Sequence, residues 1–412
     1  MNYSYKISPM MERTTAPKYF NDTVLAGRNQ GYIDFAISLE GNMRTYPNIC
    51  VPISAMIDYY NTKELSFSFQ FSPEKADYIQ HTSFHNPKEI ELFIGSPELN
   101  FPLDKVWKFS SSEGVNALAT AYINTIRESD QLGQGVLGGI EWCINETMDN
   151  VLQHSLAPYG FVMGQLQKES KKLLLCIFDW GIGIYNSLKP SKHNPSTPLD
   201  AITMALQERV TRDDQIGQGN GMWGLSQIIK ENSGVVRISS CGAVYSYNNN
   251  VVKTIESGYV NFGRDQGSTF IDFQLDYSIP INISRALGGN EPLDLWLEDR
   301  ELNNGEYLIT VSELAHGTGT RQSAIKLRNL VLNVYHEKRQ KIILDFEGVN
   351  VISSSFSDEL IGKIISEYGF MFFINSFEVR NVSSTSIGII NRSIEQRMAQ
   401  KYYDHEIKDT ED

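Results

Sequence analysis

The chain has 412 residues, a net charge of −13 and no apolar run near the roughly 20 residues that cross a bilayer. The acidic balance argues against a general nucleic-acid binder, whose affinity comes from neutralising phosphates. With 41% hydrophobic and 21% charged residues, the composition is that of a globular protein with room for two or three cores. The N-terminus lacks the apolar core of a signal peptide and the four cysteines form no Cys-x-x-Cys pair, so we expect a cytoplasmic protein.

Residues 1–104 predict a small α/β module with a disordered start. About 25 polar residues without periodicity open the chain. Residues 32–39 predict a strand, residues 49–60 a helix and residues 65–71 a second strand with alternating apolar side chains. No pattern in this module points to chemistry.

The helix predicted around residue 146 carries polar side chains on one face. At about 100° per residue, Glu146, Asn150 and His154 fall within roughly 80° of one another. Apolar residues such as Ile144 and Met148 cluster on the opposite face. A carboxylate and a carboxamide therefore project together, one turn apart, from a helix whose back is buried. By itself this pattern is typical of a solvated helix face.

Two glycine-rich turns follow this helix. Residues 171–178 predict a buried strand that ends at Asp179-x-Gly181-x-Gly183, and Gly217-x-Gly219-x-Gly221 opens another helix. A glycine-rich loop before a helix is a generic anion site, because unpaired N–H groups and the helix dipole point at it. Their order, their spacing of about 30 and 40 residues, and a strand that begins at Thr269 indicate one shared site.

The other elements of this middle segment predict further strands and one short helix. Thr197 and Pro198 are typical of an N-cap and a first helical residue, with the helix running through Ala205. Strands are predicted at residues 235–240, 243–247 and 269–275.

Strands and helices alternate regularly in the last third of the chain. This alternation implies a largely parallel sheet with helical cover over residues 300–404. A linker is predicted at residues 279–299 and a frayed tail at residues 405–412. The predicted strands are residues 307–314, 341–346 and 370–375, and the predicted helices are residues 321–335, 356–367 and 385–401.

The middle segment, residues 105–278, resembles the gyrase, Hsp90, histidine-kinase and MutL (GHKL) ATPase superfamily. Residues 146–150 resemble its N-box, residues 179–183 its first glycine box and residues 217–221 its second. The resemblance implies the Bergerat fold, an α/β (α+β sandwich) domain with a mixed sheet covered by helices on one face. It also implies ATP and Mg²⁺ as ligands, with residues 185–216 as the ATP lid.

The resemblance implies a role for each matching residue. Asn150 would coordinate Mg²⁺, since an amide oxygen suits a hard cation. Asp179 would accept a hydrogen bond from the adenine amino group, which disfavours guanine. Glu146 would be the general base for attack on the γ-phosphate. The other implied nucleotide-binding residues are Asp149, His154, Gly181, Gly183, Gly217, Gly219, Asn220, Gly221, Met222 and Thr269.

Residues 300–404 resemble the STAS fold of anti-sigma-factor antagonists. Ser353 stands where that family has an aspartate and Phe356 where it has a glycine, so the match looks closer to the STAS-like domain of unknown function often found next to such ATPases. The resemblance implies Ser354 or Ser355 as a possible phosphoacceptor. The same two serines are also typical of a helix cap, and the two roles are compatible.

The predicted function is a cytoplasmic regulatory ATPase that uses its nucleotide state to switch flanking domains or partner proteins. Two alternatives stay open: a serine/threonine kinase of anti-sigma type that acts on a STAS domain, and a nucleotide-gated scaffold without turnover. None of the seven histidines has the surroundings of a histidine-kinase phosphoacceptor. We expect a protein partner or self-association, such as a homodimer, and no membrane binding. Stress signalling and phage defence both fit.

Overall fold

The computed structural model describes residues 5–7, 15–38, 46–71, 80–208, 210, 221–256, 267–287, 295–315 and 317–409. The chain divides into two compact units. Unit 1 comprises Met1–Ile123 and Gly139–Pro292, and unit 2 comprises Asn124–Gly138 and Leu293–Asp412. None of the helices in the described ranges has both the length and the apolar composition that a membrane crossing requires.

Unit 1 contains two sheets. The first is parallel with strand order β1-β2-β3, and the second has eight strands in the order β10-β9-β8-β11-β7-β6-β5-β4. Neighbouring strands of the larger sheet are antiparallel except β4 and β5, so this sheet is mixed. The strands are β1 Tyr5–Ile7, β2 Asp34–Ser38, β3 Ser66–Gln70, β4 Lys88–Glu89, β5 Trp107–Phe109, β6 Gly160–Gln167, β7 Lys172–Asp179, β8 Val235–Ser240, β9 Ala243–Asn248, β10 Val251–Ile255 and β11 Thr269–Asp276.

Helices pack on both faces of the larger sheet. Phe161 of β6 and Phe178 of β7 share a core with Ile53 of α2, whereas a Cβ on Gly160 of β6 would meet Val151 of α4. β7 therefore reads as an uninterrupted apolar run, as a strand buried on both sides does. The helices of unit 1 are α1 Ala16–Asn29, α2 Pro47–Asn61, α3 Ser112–Ser129, α4 Val136–His154, α5 Gly183–Leu188, α6 Pro198–Ala205, α7 Gly221–Glu231 and α8 Ile283–Ala286. Roughly the first three turns of α3 and most of α4 lie in unit 1, and the rest of both helices lies in unit 2.

Unit 1 differs from the sequence predictions at its start and in its helical cover. Residues 16–29 form α1, where the sequence predicted an irregular start, because Phe20 and Val24 lie one turn apart and are both buried. The predicted one-face helical cover is also incomplete, since α2 of the N-terminal segment covers the second face.

Unit 2 contains a parallel sheet with strand order β12-β13-β14 and its own apolar core. Its strands are β12 Tyr307–Thr310, β13 Ile342–Asp345 and β14 Phe377–Arg380. Its helices are α9 Leu295–Glu298, α10 Val311–Leu314, α11 Arg321–Lys338, α12 Ser354–Ser357, α13 Lys363–Tyr368, α14 Phe370–Ser376 and α15 Ser384–Asp409, with a π-helical turn, Asp358–Gly362, between α12 and α13.

The strand predicted at residues 370–375 is wrong. This apolar stretch forms α14, and the third strand of the sheet follows it, with Phe377 paired to Ile342 of β13. A short apolar run fits a buried helix and a buried strand equally well, so its length and composition do not separate them. The predicted strand at residues 307–314 is likewise shorter, because residues 311–314 form α10.

Candidate functional site

Asp179 lies at the carboxyl end of β7, in the middle of the eight-stranded sheet. It is paired in register with Thr269, the first residue of β11. Only 4% of its surface is exposed, and burial raises the pKa of its carboxyl group to about 7. Its Oδ1 accepts a hydrogen bond from the Gly181 amide at 2.7 Å, and its carboxylate also accepts one from the Thr269 side chain. The Asp179 carboxylate is therefore a buried hydrogen-bond acceptor at the carboxyl end of a central strand.

The turn after Asp179 packs closely against neighbouring residues at both of its glycines. A Cβ on Gly181 would lie 2.2 Å from the Ser155 carbonyl oxygen, and one on Gly183 would lie 2.5 Å from Cys241 Sγ. Gly183 also has φ +75°, a conformation that other residues rarely adopt. Gly267 is closer still, since its Cβ would lie 1.8 Å from the Ile182 carbonyl oxygen. These glycines are required by packing.

Hydrogen bonds fix the same turn to two other elements. The Ile182 amide donates to the Ser155 carbonyl oxygen just beyond α4, at 2.7 Å. The Ile184 amide donates to Ser240 Oγ at the end of β8, at 2.9 Å, and that hydroxyl donates to the Ser268 carbonyl oxygen. The turn of residues 180–183, here called the glycine turn, therefore connects the end of α4, β8 and the start of β11.

Glu146 and Asn150 of α4 lie against the first residue of α7. A Cβ on Gly221 would be 2.4 Å from Glu146 Oε2 and 3.2 Å from Asn150 Nδ2. That Nδ2 is buried and has no hydrogen-bond partner among the described residues. Burial and the charge of Asp149 raise the pKa of Glu146, and burial raises that of Asp149. A carboxylate, an amide and a helix N-terminus thus meet at one place.

The remaining predicted site residues fall into two groups. Asp149, His154 and Met222 are described and half-buried, the first two on α4 and the third in the first turn of α7. Gly217, Gly219 and Asn220 lie outside the described residues, so the second glycine box is represented by Gly221 alone. Among the described residues no group of three or more His, Cys, Asp or Glu side chains could hold a metal ion.

The described part of the predicted lid is packed against the unit. Residues 185–208 include most of α5 and all of α6, where Ala201 and Ile202 are fully buried. The predicted helix start is confirmed, since Thr197 Oγ1 accepts a hydrogen bond from the Asp200 amide at 3.1 Å. Apart from Val210, residues 209–220 lie outside the described ranges.

The sequence did not predict the contacts that anchor this turn to α2. Trp180 follows Asp179, is nearly buried, and its indole N–H donates to the Ala55 carbonyl oxygen of α2 at 2.9 Å. Its ring stacks on Tyr59 of the same helix, with centroids 4.6 Å apart. An aromatic residue directly after a strand-end aspartate was the available signal, but its partner lies 125 residues away.

In unit 2 the cap of α12 is Ser353, so the prediction that Ser354 or Ser355 caps this helix is wrong. Ser353 Oγ accepts a hydrogen bond from the Phe356 amide at 3.0 Å and lies 3.0 Å from Ser355 Oγ. Ser354 is exposed. The cap lies one residue earlier because Ser353 has the extended backbone of an N-cap, with ψ 156°.

Comparison with protein families matches residues 323–386 to the STAS-like domain of unknown function DUF4325. The matched segment begins in α11 and ends at the start of α15, and it includes β13 and β14. The C-terminal region therefore carries a STAS-like domain, as its sequence predicted. A comparison with curated proteins finds no significant match.

Proposed function

We propose that unit 1 binds ATP together with Mg²⁺ and hydrolyses it. The observation that carries this proposal is the meeting of Glu146, Asn150 and Gly221, which gathers a base, an oxygen ligand and a helix N-terminus. The acceptor Asp179 belongs to the same line of contacts, because Ser155 follows α4 directly and binds the glycine turn. Glu146 and Ser155 are nine residues apart, about 14 Å along the helix axis.

The adenine end of the proposed site is Asp179. An ionised carboxylate only accepts hydrogen bonds, so it pairs with the amino group of adenine and rejects the oxygen of guanine at that position. The Gly181 amide and Thr269 fix the carboxylate in place before any ligand binds. Preorganisation of this kind reduces the ordering cost of binding.

The phosphate end of the proposed site is the start of α7. The first amides of a helix have no partner within it and carry a partial positive charge, which favours an anion near Gly221, the first described residue of α7. The Asn150 side chain also carries an amide oxygen, which suits Mg²⁺, a cation that takes few protein ligands and completes its shell with water and phosphate oxygens. Bound Mg²⁺ would neutralise charge on the phosphates.

Glu146 is the proposed general base. Water attacks the γ-phosphorus, the bond to the β–γ bridging oxygen breaks, ADP leaves, and Glu146 accepts the proton of the attacking water. Burial and Asp149 raise the pKa of Glu146, which makes its carboxylate a stronger base than a solvated one.

A protein serine is the second candidate acceptor of the phosphoryl group. It is favoured by one observation, that Ser354 is exposed while the neighbouring Ser353 caps the helix. In this case the Ser354 hydroxyl takes the place of water and the same base accepts its proton. The third candidate function is a nucleotide-gated scaffold, which binds ATP without turnover.

Incubation of the full-length protein with γ-labelled ATP and Mg²⁺ separates these candidates. We expect free phosphate, turnover reduced about 100-fold or more in Glu146→Gln with ATP binding retained, and weakened binding in Asn150→Ala. Gln153→Ala, on the exposed face of the same helix, is the matched control and should behave as the parent.

Two other results would redirect the assignment. Label on the protein that disappears in the Ser354→Ala/Ser355→Ala double variant identifies the kinase, and binding without turnover identifies the scaffold. If Asn150→Ala and Asp179→Asn bind ATP as tightly as the parent, unit 1 is not this kind of nucleotide site.

A further inference from the structure

One face of α11 in unit 2 holds the segment that connects α3 to α4, residues 130–135, here called the connector. Asn329, Asn333 and Glu337 follow one another at intervals of four residues and so line one side of the helix. All three lie in the segment that matches the STAS-like family. Each makes its hydrogen bond to main-chain atoms of the connector or of the last turn of α3.

Asn333 makes the densest of these contacts. Its Nδ2 donates to the carbonyl oxygens of Arg127, at 2.7 Å, and Asp130, at 2.9 Å. Its Oδ1 accepts from the Leu132 amide at 2.9 Å. Both donors and the acceptor of the amide are therefore used, and the side chain is only 4% exposed. Removal of this amide leaves three main-chain groups without their partner in a buried place, which is costly.

Contacts on either side of Asn333 extend the attachment. Asn329 Nδ2 donates to the Glu128 carbonyl oxygen at 3.2 Å, near the end of α3. Glu337 Oε2 accepts from the Gly135 amide at 3.0 Å, directly before α4. The connector is thus held at its start, middle and end by one helix of the STAS-like domain.

The connector leads into the helix that carries the proposed chemistry. α4 begins at Val136, in unit 2, and continues without interruption to Glu146 and Asn150, in unit 1. A helix transmits displacement along its axis, so the position of its first turn constrains the turns that follow. Gly135 and Glu146 are 11 residues apart, about three turns.

We infer that Asn333 is a positioning residue for the proposed ATP site, and that the STAS-like domain regulates nucleotide turnover through the connector. The inference rests on the proposed function. Any event that displaces α11 from the connector, such as binding of a protein partner to the STAS-like domain, changes the placement of Glu146 and Asn150. Because coupling between sites is reciprocal, bound ATP in turn tightens the connector on Asn333.

Hydrogen exchange on the full-length protein tests the coupling directly. The Leu132 amide is the reporter, since it donates to Asn333. In the parent, saturating ATP with Mg²⁺ should slow its exchange. Without nucleotide, Asn333→Ala should speed exchange at residue 132 and also at residues 143–150 on α4. Faster exchange confined to residues 130–135 overturns the inference, because the attachment would then be only local.

Nucleotide measurements supply the second readout. We expect Asn333→Ala to lower ATP affinity or saturated turnover by about fivefold or more. Gln322→Ala, an exposed residue of the same helix, is the control and should match the parent. Glu337→Gln, which weakens only the contact to Gly135, keeps the test informative if Asn333→Ala does not fold. Unchanged affinity and turnover in both folded variants overturns the inference.

These results separate the inference from the proposed function. A parent protein that neither binds nor hydrolyses ATP overturns the proposed function and the regulation together. A parent that hydrolyses ATP while Asn333→Ala leaves α4 exchange and turnover unchanged overturns the regulation and leaves the ATPase standing.

Discussion

The carboxyl ends of β7 in unit 1 and β13 in unit 2 share one local pattern. Each strand is apolar, each ends in an aspartate, and each is followed by a turn that contains a glycine with positive φ. After β13, Asp345 Oδ1 accepts from the Glu347 amide at 2.9 Å and from Asn381 Nδ2 at 2.8 Å. After β7, Asp179 is buried and its pKa is raised to about 7.

The difference separates a structural turn from a candidate binding site. Asp345 is half-buried and closes a hydrogen-bonded turn between two elements of its own sheet. Asp179 bears the cost of burial, and the Asn150 amide nitrogen is buried without a partner among the described residues. A buried carboxyl group with a raised pKa and a buried amide without a partner are both typical of functional sites, where a ligand can supply a missing partner.

The largest expected effect is that of Asp179→Asn. ATP affinity should fall about 100-fold, since a hydrogen bond to a charged group contributes roughly 1.5–3 kcal/mol. The free energy of unfolding of the unliganded protein at pH 8 should rise, on the order of 1–2 kcal/mol, because a buried charge is removed. Calorimetric titration and thermal unfolding measure the two effects. Asp345→Asn is the control and should change neither, and equal behaviour of both variants would contradict the comparison.

The next effect concerns the glycines of the two turns. Gly183→Ala should lower the free energy of unfolding by about 2–4 kcal/mol, from backbone strain together with the contact to Cys241 Sγ. Gly348→Ala, after β13, has a similar φ of +78° but no atom nearer than 3.7 Å, so only the strain of about 1–2 kcal/mol is expected. Chemical denaturation compares them. Equal losses would mean that the turn after β7 is not tightly packed.

A pH dependence follows from the pKa of Asp179. Below about pH 7 its carboxyl group is protonated and would no longer accept a hydrogen bond from the adenine of the proposed site, so adenosine affinity should fall about tenfold from pH 8 to pH 6. The free energy of unfolding changes in the opposite direction. Because the folded-state pKa of Asp179 lies above its unfolded-state pKa, the stabilisation is complete below the unfolded-state pKa and is lost as pH rises through about 7.

Adenosine is the suitable ligand for this measurement, because it carries no phosphate that titrates in the same range. Asp179→Asn should show no such dependence between pH 6 and pH 8. A dependence that survives in Asp179→Asn would assign the titration to another group.

The smallest effect tests the turn of unit 2. Ser353→Ala should lower the free energy of unfolding by about 1 kcal/mol, because the Phe356 amide loses its cap. Ser354→Ala, one residue further and exposed, should leave stability unchanged. Thermal unfolding of the two variants decides between them, and a larger loss in Ser354→Ala would return the capping role to that residue.

Local patterns were sufficient for the elements that carry the proposed site. The apolar run that ends at Asp179, the helix with Glu146 and Asn150 on one face and the Thr197 cap all follow from spacing of a few residues. β6 was missed because Gly160 and Gly164 weaken its strand pattern. Those glycines are explained by the aromatic rings of Phe109 and Tyr122 that pack against them.

What the sequence did not predict depends on residues far apart in the chain. Trp180 binds Ala55 across 125 residues, and Asn333 binds the Leu132 amide across 201. Neither residue has a neighbour that signals its partner, so only the folded chain identifies them. The helix at residues 370–376 is a different case, since its local pattern is compatible with both structures.

Cys241 is a natural reporter group for the glycine turn, because its thiol lies next to that turn. Cys50, Cys143 and Cys176 are buried, and burial raises the pKa of each thiol, so they react slowly with thiol reagents. Cys241 is half-buried and its Sγ lies 3.7 Å from the Ile182 carbonyl oxygen. A maleimide or disulfide reagent therefore labels the native protein at Cys241 first. Its rate of labelling reports, without any engineered residue, whether a molecule occupies the turn.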